Sequence, residues 1–134
     1  MKRSLTVLSV DSLGGLIAGI CTLFAAPLLT AWYAWPEGLA LFVGAVNVGY
    51  GCYSGILALY FGRQAQLSRW AVIILIAANS AWALQCFVQV GLLRESASYL
   101  GLGHFLIEGV WVGSLAYLEA RMVLPFVAST DKAT

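Results

Sequence analysis

The chain alternates between four long apolar stretches and short polar connections. The apolar stretches cover about residues 5–26, 39–62, 70–93 and 103–126. Each is long enough to cross a bilayer as a helix, which takes about 20 apolar residues. Because lipid offers no hydrogen-bond partners, the backbone of each stretch must satisfy its own donors and acceptors, which a helix does. The pattern predicts an all-α integral membrane bundle of four antiparallel transmembrane helices, forming a single domain over 1–134.

Features within and after the first stretch refine the prediction for that helix. Asp11 interrupts the N-terminal apolar run, and Ile20 stands before a cysteine, where lipoprotein cleavage requires a small residue. We therefore expect the first span to be retained rather than removed as a signal peptide. Pro27 is expected to break or kink the helix, with a short helix or a continuation over Leu28–Trp35. The aromatic segment Thr30–Gly38 is typical of a membrane–water boundary.

Composition supports a lipid environment and argues against several classes of function. The 134 residues are 61% hydrophobic and 10% charged, whereas a soluble domain carries about 25% charged residues. The net charge of +1 gives no electrostatic reason to expect a nucleic-acid partner. Cys21, Cys52 and Cys86 lie inside apolar runs without metal-ligand spacing, and there is no glycine-rich phosphate loop. Neither a metal site nor a cofactor is predicted.

The basic residues are distributed unevenly across the predicted membrane. Six of the seven lie on the side of the chain termini, namely Lys2, Arg3, Arg63, Arg69, Arg121 and Lys132. Only Arg94 lies in the loop on the other side. Because cytoplasmic segments are enriched in Lys and Arg, both termini are predicted to be cytoplasmic. The chain resembles the small four-span proteins of bacterial inner membranes, which is the location this resemblance implies.

Small residues indicate where helices approach each other closely. The GxxxG spacing occurs at Gly15/Gly19, Gly51/Gly55 and Gly109/Gly113. Such pairs allow two helix backbones to touch. The contacts are expected either within the bundle or between two copies of the chain, which would make a homo-oligomer.

Polar side chains within the spans recur at helical spacing, so they are expected to face the bundle interior. The candidate site residues are Asn47 and Tyr50 on the second span, Asn79, Trp82 and Gln85 on the third, and His104, Glu108 and Trp111 on the fourth. The predicted topology places most of them in the outer half of the membrane, around a polar cavity that opens outward. Asp11 lies toward the cytoplasmic side, and Glu119, near the inner boundary, is expected at the surface.

His104 and Glu108 are the candidate catalytic pair. They are one helical turn apart and can hydrogen-bond each other. Ionisable groups within a membrane are costly and commonly mark functional sites. A paired imidazole and carboxyl group can serve as acid and base. The alternative interpretation is that these polar groups only hold the helices together.

Two segments resemble the emopamil-binding-protein (EXPERA) family of sterol isomerases. HFLIEG, from His104 to Gly109, is similar to that family's HxxxE segment, and NSAW, from Asn79 to Trp82, is similar to its NxxW segment. The two segments occur here in the reverse order. The resemblance implies protonation of a ring double bond in a membrane cavity, with a tryptophan that stabilises the developing cation through its π face.

Three functions are consistent with these features. The first is an enzyme or binding protein for a lipophilic small molecule, which Glu108 and His104 process by acid/base chemistry such as isomerisation. The second is a membrane assembly or interaction protein without chemistry. The third is a small proton-coupled transporter, in which one membrane carboxylate couples proton and substrate movement.

Overall fold

The computed structural model describes residues 2–64 and 67–130, which are almost entirely helical. The elements in chain order are α1 (Lys2–Phe24), α2 (Ala26–Tyr33), α3 (Glu37–Gln64), α4 (Arg69–Leu93), α5 (Tyr99–Leu118), a π-helical segment (Glu119–Val123) and α6 (Leu124–Thr130). No strand occurs among the described residues. The predicted all-α fold is confirmed.

Within the described residues, four helical stretches are long and apolar enough to cross a membrane, namely Lys2–Phe24, Glu37–Arg63, Arg69–Leu93 and Tyr99–Val127. They match the four predicted spans closely. The fourth stretch combines α5, the π-helical segment and the start of α6. The chain is therefore a multi-pass membrane protein whose spans form a four-helix bundle.

The connection between the first two spans contains a short helix, as Pro27 predicts. Pro27 lies in the first turn of α2, where its missing amide hydrogen removes no helical hydrogen bond. α2 ends at Tyr33 and is followed by Ala34, whose φ of 54° is left-handed. Trp32 is 59% exposed and fits an aromatic belt, but Trp35 is 2% exposed. Trp35 faces the bundle rather than the surroundings, and the position of this segment at the membrane boundary stays a prediction.

Glycines bring α1 and α3 into direct backbone contact. A Cβ atom added at Gly19 would lie 2.6 Å from the backbone nitrogen of Val48, and one at Gly51 would lie 2.5 Å from that of Leu16. Gly15 makes a third contact of this kind with α3. These distances leave no room for a side chain, so glycine is required for the packing. The association of two copies through GxxxG faces stays a prediction.

A second close helix pair consists of α4 and α5. A Cβ atom at Gly109 would lie 3.1 Å from the Cβ atom of Cys86 and 3.3 Å from the carbonyl oxygen of Ala83. Contacts between the α1/α3 pair and the α4/α5 pair are sparser than those within each pair. The interface between the two pairs is where the buried polar side chains lie.

Two apolar clusters enclose this polar layer. The cluster at the end of the bundle that carries α2, called here the α2 end, includes Ala26, Trp35, Val43, Cys86 and Phe105. The cluster at the opposite end includes Leu8, Phe61, Val72, Leu75 and Val123. Between them lie the buried polar residues Asp11, Asn47, Ser54, Asn79 and Glu119. The bundle thus has an apolar cluster toward each end and polar side chains in between.

Candidate functional site

Glu108 on α5 is contacted by side chains from three helices. The amide nitrogen of Asn47, on α3, donates to Glu108 Oε1 at 2.6 Å, and the indole nitrogen of Trp82, on α4, donates to the same oxygen at 2.8 Å. His104 Nε2, one turn earlier on α5, lies 3.0 Å from Oε2. We call these four residues the Glu108 cluster. Two N–H donors fix one carboxyl oxygen, and the imidazole faces the other.

The local sequence explains why these groups can meet. The spacing of His104 and Glu108 places both side chains on one face of α5. Gly109 lets α4 approach α5 closely, which brings the indole of Trp82 within reach of the carboxyl group. Asn47 follows Val43 by one turn, and its amide also donates to the Val43 carbonyl oxygen at 3.1 Å. The Glu108 cluster therefore forms at the interface between the two helix pairs.

Aromatic rings surround His104 at the α2 end. The His104 ring lies 5.2 Å from that of Trp35, in an edge-to-face arrangement, and 5.4 Å from that of Tyr33. Trp35 stacks on Phe105 with ring centroids 4.4 Å apart. The His104 side chain is 28% exposed and that of Glu108 is 12% exposed. His104 is therefore the more exposed member of the pair.

A second polar group lies deeper in the bundle. The amide nitrogen of Asn79 lies 3.4 Å from Asp11 Oδ1 and 3.3 and 3.2 Å from the two carboxyl oxygens of Glu119. Asp11 is 5% exposed, Asn79 1% and Glu119 0%. We call these three residues the inner acid cluster. Asn79 thus bridges two carboxyl groups and is not a contact of Glu108, with which the sequence pattern had grouped it.

The expectation that Glu119 lies at the surface is wrong. The side chain of Glu119 is 0% exposed, because it faces the bundle interior and contacts the amide of Asn79. Glu119 also follows Glu108 by eleven residues, which is three helical turns, and this spacing places both on one face. That spacing is the sequence signal that identifies Glu119 as buried.

A cavity of about 60 Å³ separates the two groups. Its polar walls are formed by Asp11, Asn47, Tyr50, Asn79 and Glu108. Since a water molecule occupies about 30 Å³ in the liquid, the cavity has room for about two. It is too small for a sterol-sized molecule. Asn47 and Glu108 of the Glu108 cluster and Asp11 and Asn79 of the inner acid cluster thus line one small cavity.

A larger apolar groove lies on the outer surface of α5. It has a volume of about 380 Å³ and is lined by Leu106, Ile107, Val110, Trp111 and Ser114. Trp111 is 50% exposed and also lines the small cavity. Its indole nitrogen would lie 3.5 Å from a Cβ atom added at Gly14 of α1. Trp111 therefore stands between the groove and the polar interior.

Two further predicted site residues have different surroundings. The hydroxyl of Tyr50 donates to the carbonyl oxygen of Ala78 at 3.2 Å, and its ring lies 6.3 Å from that of Trp82. Tyr50 therefore lies in the predicted site. Gln85 is half-buried and, in the described part of the chain, neither contacts Glu108 nor lines the small cavity. Its role as a binding residue stays a prediction.

The residues that the structure describes contain no group of three or more His, Cys, Asp or Glu side chains able to hold a metal ion. No family model, curated protein or solved structure matches this chain. The resemblance to the emopamil-binding-protein family stays a prediction. In the structure, His104 and Glu108 of the HFLIEG segment lie together with Trp82 of the NSAW segment. Asn79 of the NSAW segment belongs to the inner acid cluster instead.

Proposed function

We propose that this membrane protein binds a lipophilic small molecule or lipid at the Glu108 cluster. Glu108 and His104 then perform acid/base chemistry on the bound molecule, of the kind that an isomerisation requires. The observation that carries the proposal is the carboxyl group of Glu108, held within a membrane bundle by Asn47, Trp82 and His104. Fixed ionisable groups at such depth commonly mark substrate or proton sites.

The two carboxyl oxygens of Glu108 have different roles in this proposal. Oε1 accepts hydrogen bonds from Asn47 and Trp82, which hold the carboxyl group in place. Oε2 faces His104, and this oxygen exchanges the proton. The partly exposed imidazole connects Oε2 with the surface at the α2 end. A positioned acid of this kind commonly contributes about 10²–10⁴ in rate.

The apolar part of the ligand is proposed to lie in the groove beside Trp111. Its volume of about 380 Å³ falls within the range of about 300–1,000 Å³ for small-molecule sites. The hydrogen-bonding group of the ligand would pass Trp111 to reach Glu108. An indole face at this point also suits a positively charged intermediate, because cations are attracted to aromatic faces.

We further propose that the protein resides in a bacterial inner membrane with both termini in the cytoplasm. The sequence bias of basic residues supports this orientation. The one basic residue of the opposite side, Arg94, forms an exposed ion pair with Glu95 at 3.1 Å. Glu95 thus balances the positive charge of Arg94, which is the basic residue on that side. The Glu108 cluster would then lie in the outer half of the membrane.

The first experiment is native mass spectrometry of the gently purified protein, with identification of any retained lipophilic molecule. Glu108→Gln is the informative variant, because its carbonyl can accept from Asn47 and Trp82 while its amide donates to His104. We expect the wild type to retain a stoichiometric ligand that Glu108→Gln loses. Glu95→Gln, at an exposed position outside the cluster, is the control and should retain it. An identical set of bound molecules in all three proteins would refute the proposal.

An assembly or interaction protein is the second candidate. The observation that favours it is that the Glu108 and Asn79 hydrogen bonds join the two helix pairs. In that case the polar layer serves only to hold the bundle together, at about 0.6 kcal/mol per bond on average. A protein of this kind would carry no specific lipophile, and Glu108→Gln would leave its behaviour unchanged.

A further inference from the structure

We propose that the inner acid cluster is a proton-binding site that exchanges protons with Glu108 through water in the cavity between them. The ligand is a single hydrogen ion, carried by one of the two carboxyl groups of Asp11 and Glu119. This site lies outside the Glu108 cluster and does not depend on the identity of a lipophilic ligand. It would store a proton within the bundle.

The first supporting observation is that two buried carboxyl groups share one amide donor. Both carboxyl groups lie against one amide, that of Asn79, at 3.2–3.4 Å. Two ionised carboxylates this close, and this deeply buried, repel each other strongly unless a positive charge or a proton lies between them. A shared proton removes one of the charges. It also supplies an O–H donor, which neither carboxylate has.

The neighbouring elements supply no positive charge to the pair. α3 contributes Ser54 and Tyr50, and α5 contributes Glu108 across the cavity. The nearest basic residue along the chain from Glu119, Arg121, is exposed, and its guanidinium lies 5.9 Å from the ring of Tyr117. His104 lies beyond Glu108 and contacts that residue instead. In the described structure, a proton is thus the remaining means of balancing the charge.

The second observation is an unpaired carboxyl oxygen of Asp11. Asp11 Oδ2 is fully buried and has no hydrogen-bond partner among the described atoms. Ser54 lies beside the carboxyl group, but its hydroxyl donates to the carbonyl oxygen of Tyr50 at 2.9 Å. Because buried polar atoms are otherwise nearly always paired, this oxygen points to a proton as its missing partner. Asp11 lines the same cavity as Glu108, and that cavity has room for about two water molecules.

The transfer step requires only O–H bonds. A carboxylic acid of the pair gives its proton to a cavity water, and that water gives one of its own protons to the Glu108 carboxylate. One O–H bond breaks and one forms at each step, so no other reactant is needed. His104 then passes the proton to the surface at the α2 end.

The site is open toward one end only. The apolar cluster that contains Leu8, Leu75 and Val123 lies between the inner acid cluster and the opposite end of the bundle. These three residues are each 0% exposed. Protons therefore enter and leave past Glu108, and the protein is expected to store a proton without conducting protons across the membrane.

Glu119 also begins the π-helical segment, a feature that is frequent at functional sites.

Infrared spectroscopy of the protein in liposomes tests the site. We expect wild type at neutral pH to show the carbonyl band of a buried protonated carboxyl group. The double variant Asp11→Asn with Glu119→Gln should lose this band, while Glu95→Gln should keep it. If the double variant does not fold, Glu119→Gln alone should shift the band, because it changes the hydrogen bonding of Asp11. A band that is absent from wild type, or unaffected by these variants, would overturn the proposal.

Exchange into heavy water tests the route. The band should remain in Glu108→Gln, but its shift on hydrogen–deuterium exchange should slow by on the order of 10², the lower end of a general acid's contribution. An unchanged exchange rate would overturn the route through Glu108. Neither readout requires the lipophilic ligand. Failure of ligand binding and failure of proton binding can therefore be distinguished.

Discussion

Glu108 uses both of its carboxyl oxygens in contacts with neighbouring side chains. Its Oε1 atom satisfies the indole N–H of Trp82, which is 5% exposed and cannot turn to water. Its Oε2 atom faces the imidazole of His104. Replacements at this position therefore separate hydrogen bonding from charge. The glutamine variant removes the charge and keeps the hydrogen bonds, whereas an apolar residue removes the charge and the hydrogen bonds.

The comparison of Glu108→Leu with Glu108→Gln measures the structural part. Leucine leaves the Trp82 donor unpaired, and a buried unpaired group costs about 1–3 kcal/mol. We expect Glu108→Leu to lower the free energy of unfolding by about 2 kcal/mol relative to Glu108→Gln. Reversible unfolding in mixed detergent micelles, followed by circular dichroism, provides the measurement. Equal stability of the two variants would show that Glu108 is not needed to satisfy its neighbours.

At the scale of elements, glycines decide how closely helices pack. Gly51 and Gly49 lie on the same helix two residues apart, but only Gly51 faces α1. A Cβ atom at Gly51 would lie 2.5 Å from a backbone nitrogen, whereas one at Gly49 would meet nothing within 4 Å. The same substitution is therefore expected to have opposite effects at the two positions.

Gly51→Ala should separate α1 from α3 and lower the free energy of unfolding by about 1–3 kcal/mol, the usual cost of overpacking. Gly49→Ala should be neutral or stabilising by up to about 1 kcal/mol, because alanine favours a helix over glycine. Unfolding curves of the two variants and the wild type check both signs. Loss of stability at Gly49 and not at Gly51 would contradict the packing of this pair.

The start of α5 depends on Ser98. Its hydroxyl accepts from the backbone nitrogen of Gly101 at 3.2 Å and donates to the carbonyl oxygen of Trp32 at 2.8 Å. Ser98→Ala should therefore cost about 1 kcal/mol, as loss of a helix cap usually does. Ser96→Ala is the matched control, since Ser96 is exposed and makes only a 3.5 Å contact. The thermal unfolding midpoints of the two variants should differ, with the lower one at Ser98→Ala.

At the scale of the whole molecule, the fold consists of two glycine-packed helix pairs joined through a polar layer. The layer contains the Glu108 cluster, the cavity and the inner acid cluster, with apolar residues at both ends. This arrangement gives the two ends of the bundle different properties. In our proposal the α2 end offers access through His104, whereas an apolar cluster fills the other end. The orientation in the membrane therefore decides from which side the site is reached.

Cysteine labelling in intact cells tests the proposed orientation. Glu95 is exposed in the α4–α5 loop, and Arg63 is exposed near the end of α3. A membrane-impermeant maleimide should label Glu95→Cys in intact cells and Arg63→Cys only after permeabilisation. The parent protein, whose cysteines lie within helices, is the control. The reverse pattern would place the termini outside and the Glu108 cluster in the inner half.

The sequence by itself determined the number and the approximate bounds of the spans, because apolar stretches of this length in lipid must be helical. It also determined that His104 and Glu108 share a face, since their spacing of four residues is a local property of a helix. The choice of partners was decided by the tertiary structure. Asn47 and Trp82 contact Glu108, whereas Asn79 contacts Asp11 and Glu119. These pairings depend on the rotation of each helix about its axis and on its offset along that axis. The period of a helix does not specify those quantities, which follow from where glycines let the backbones touch.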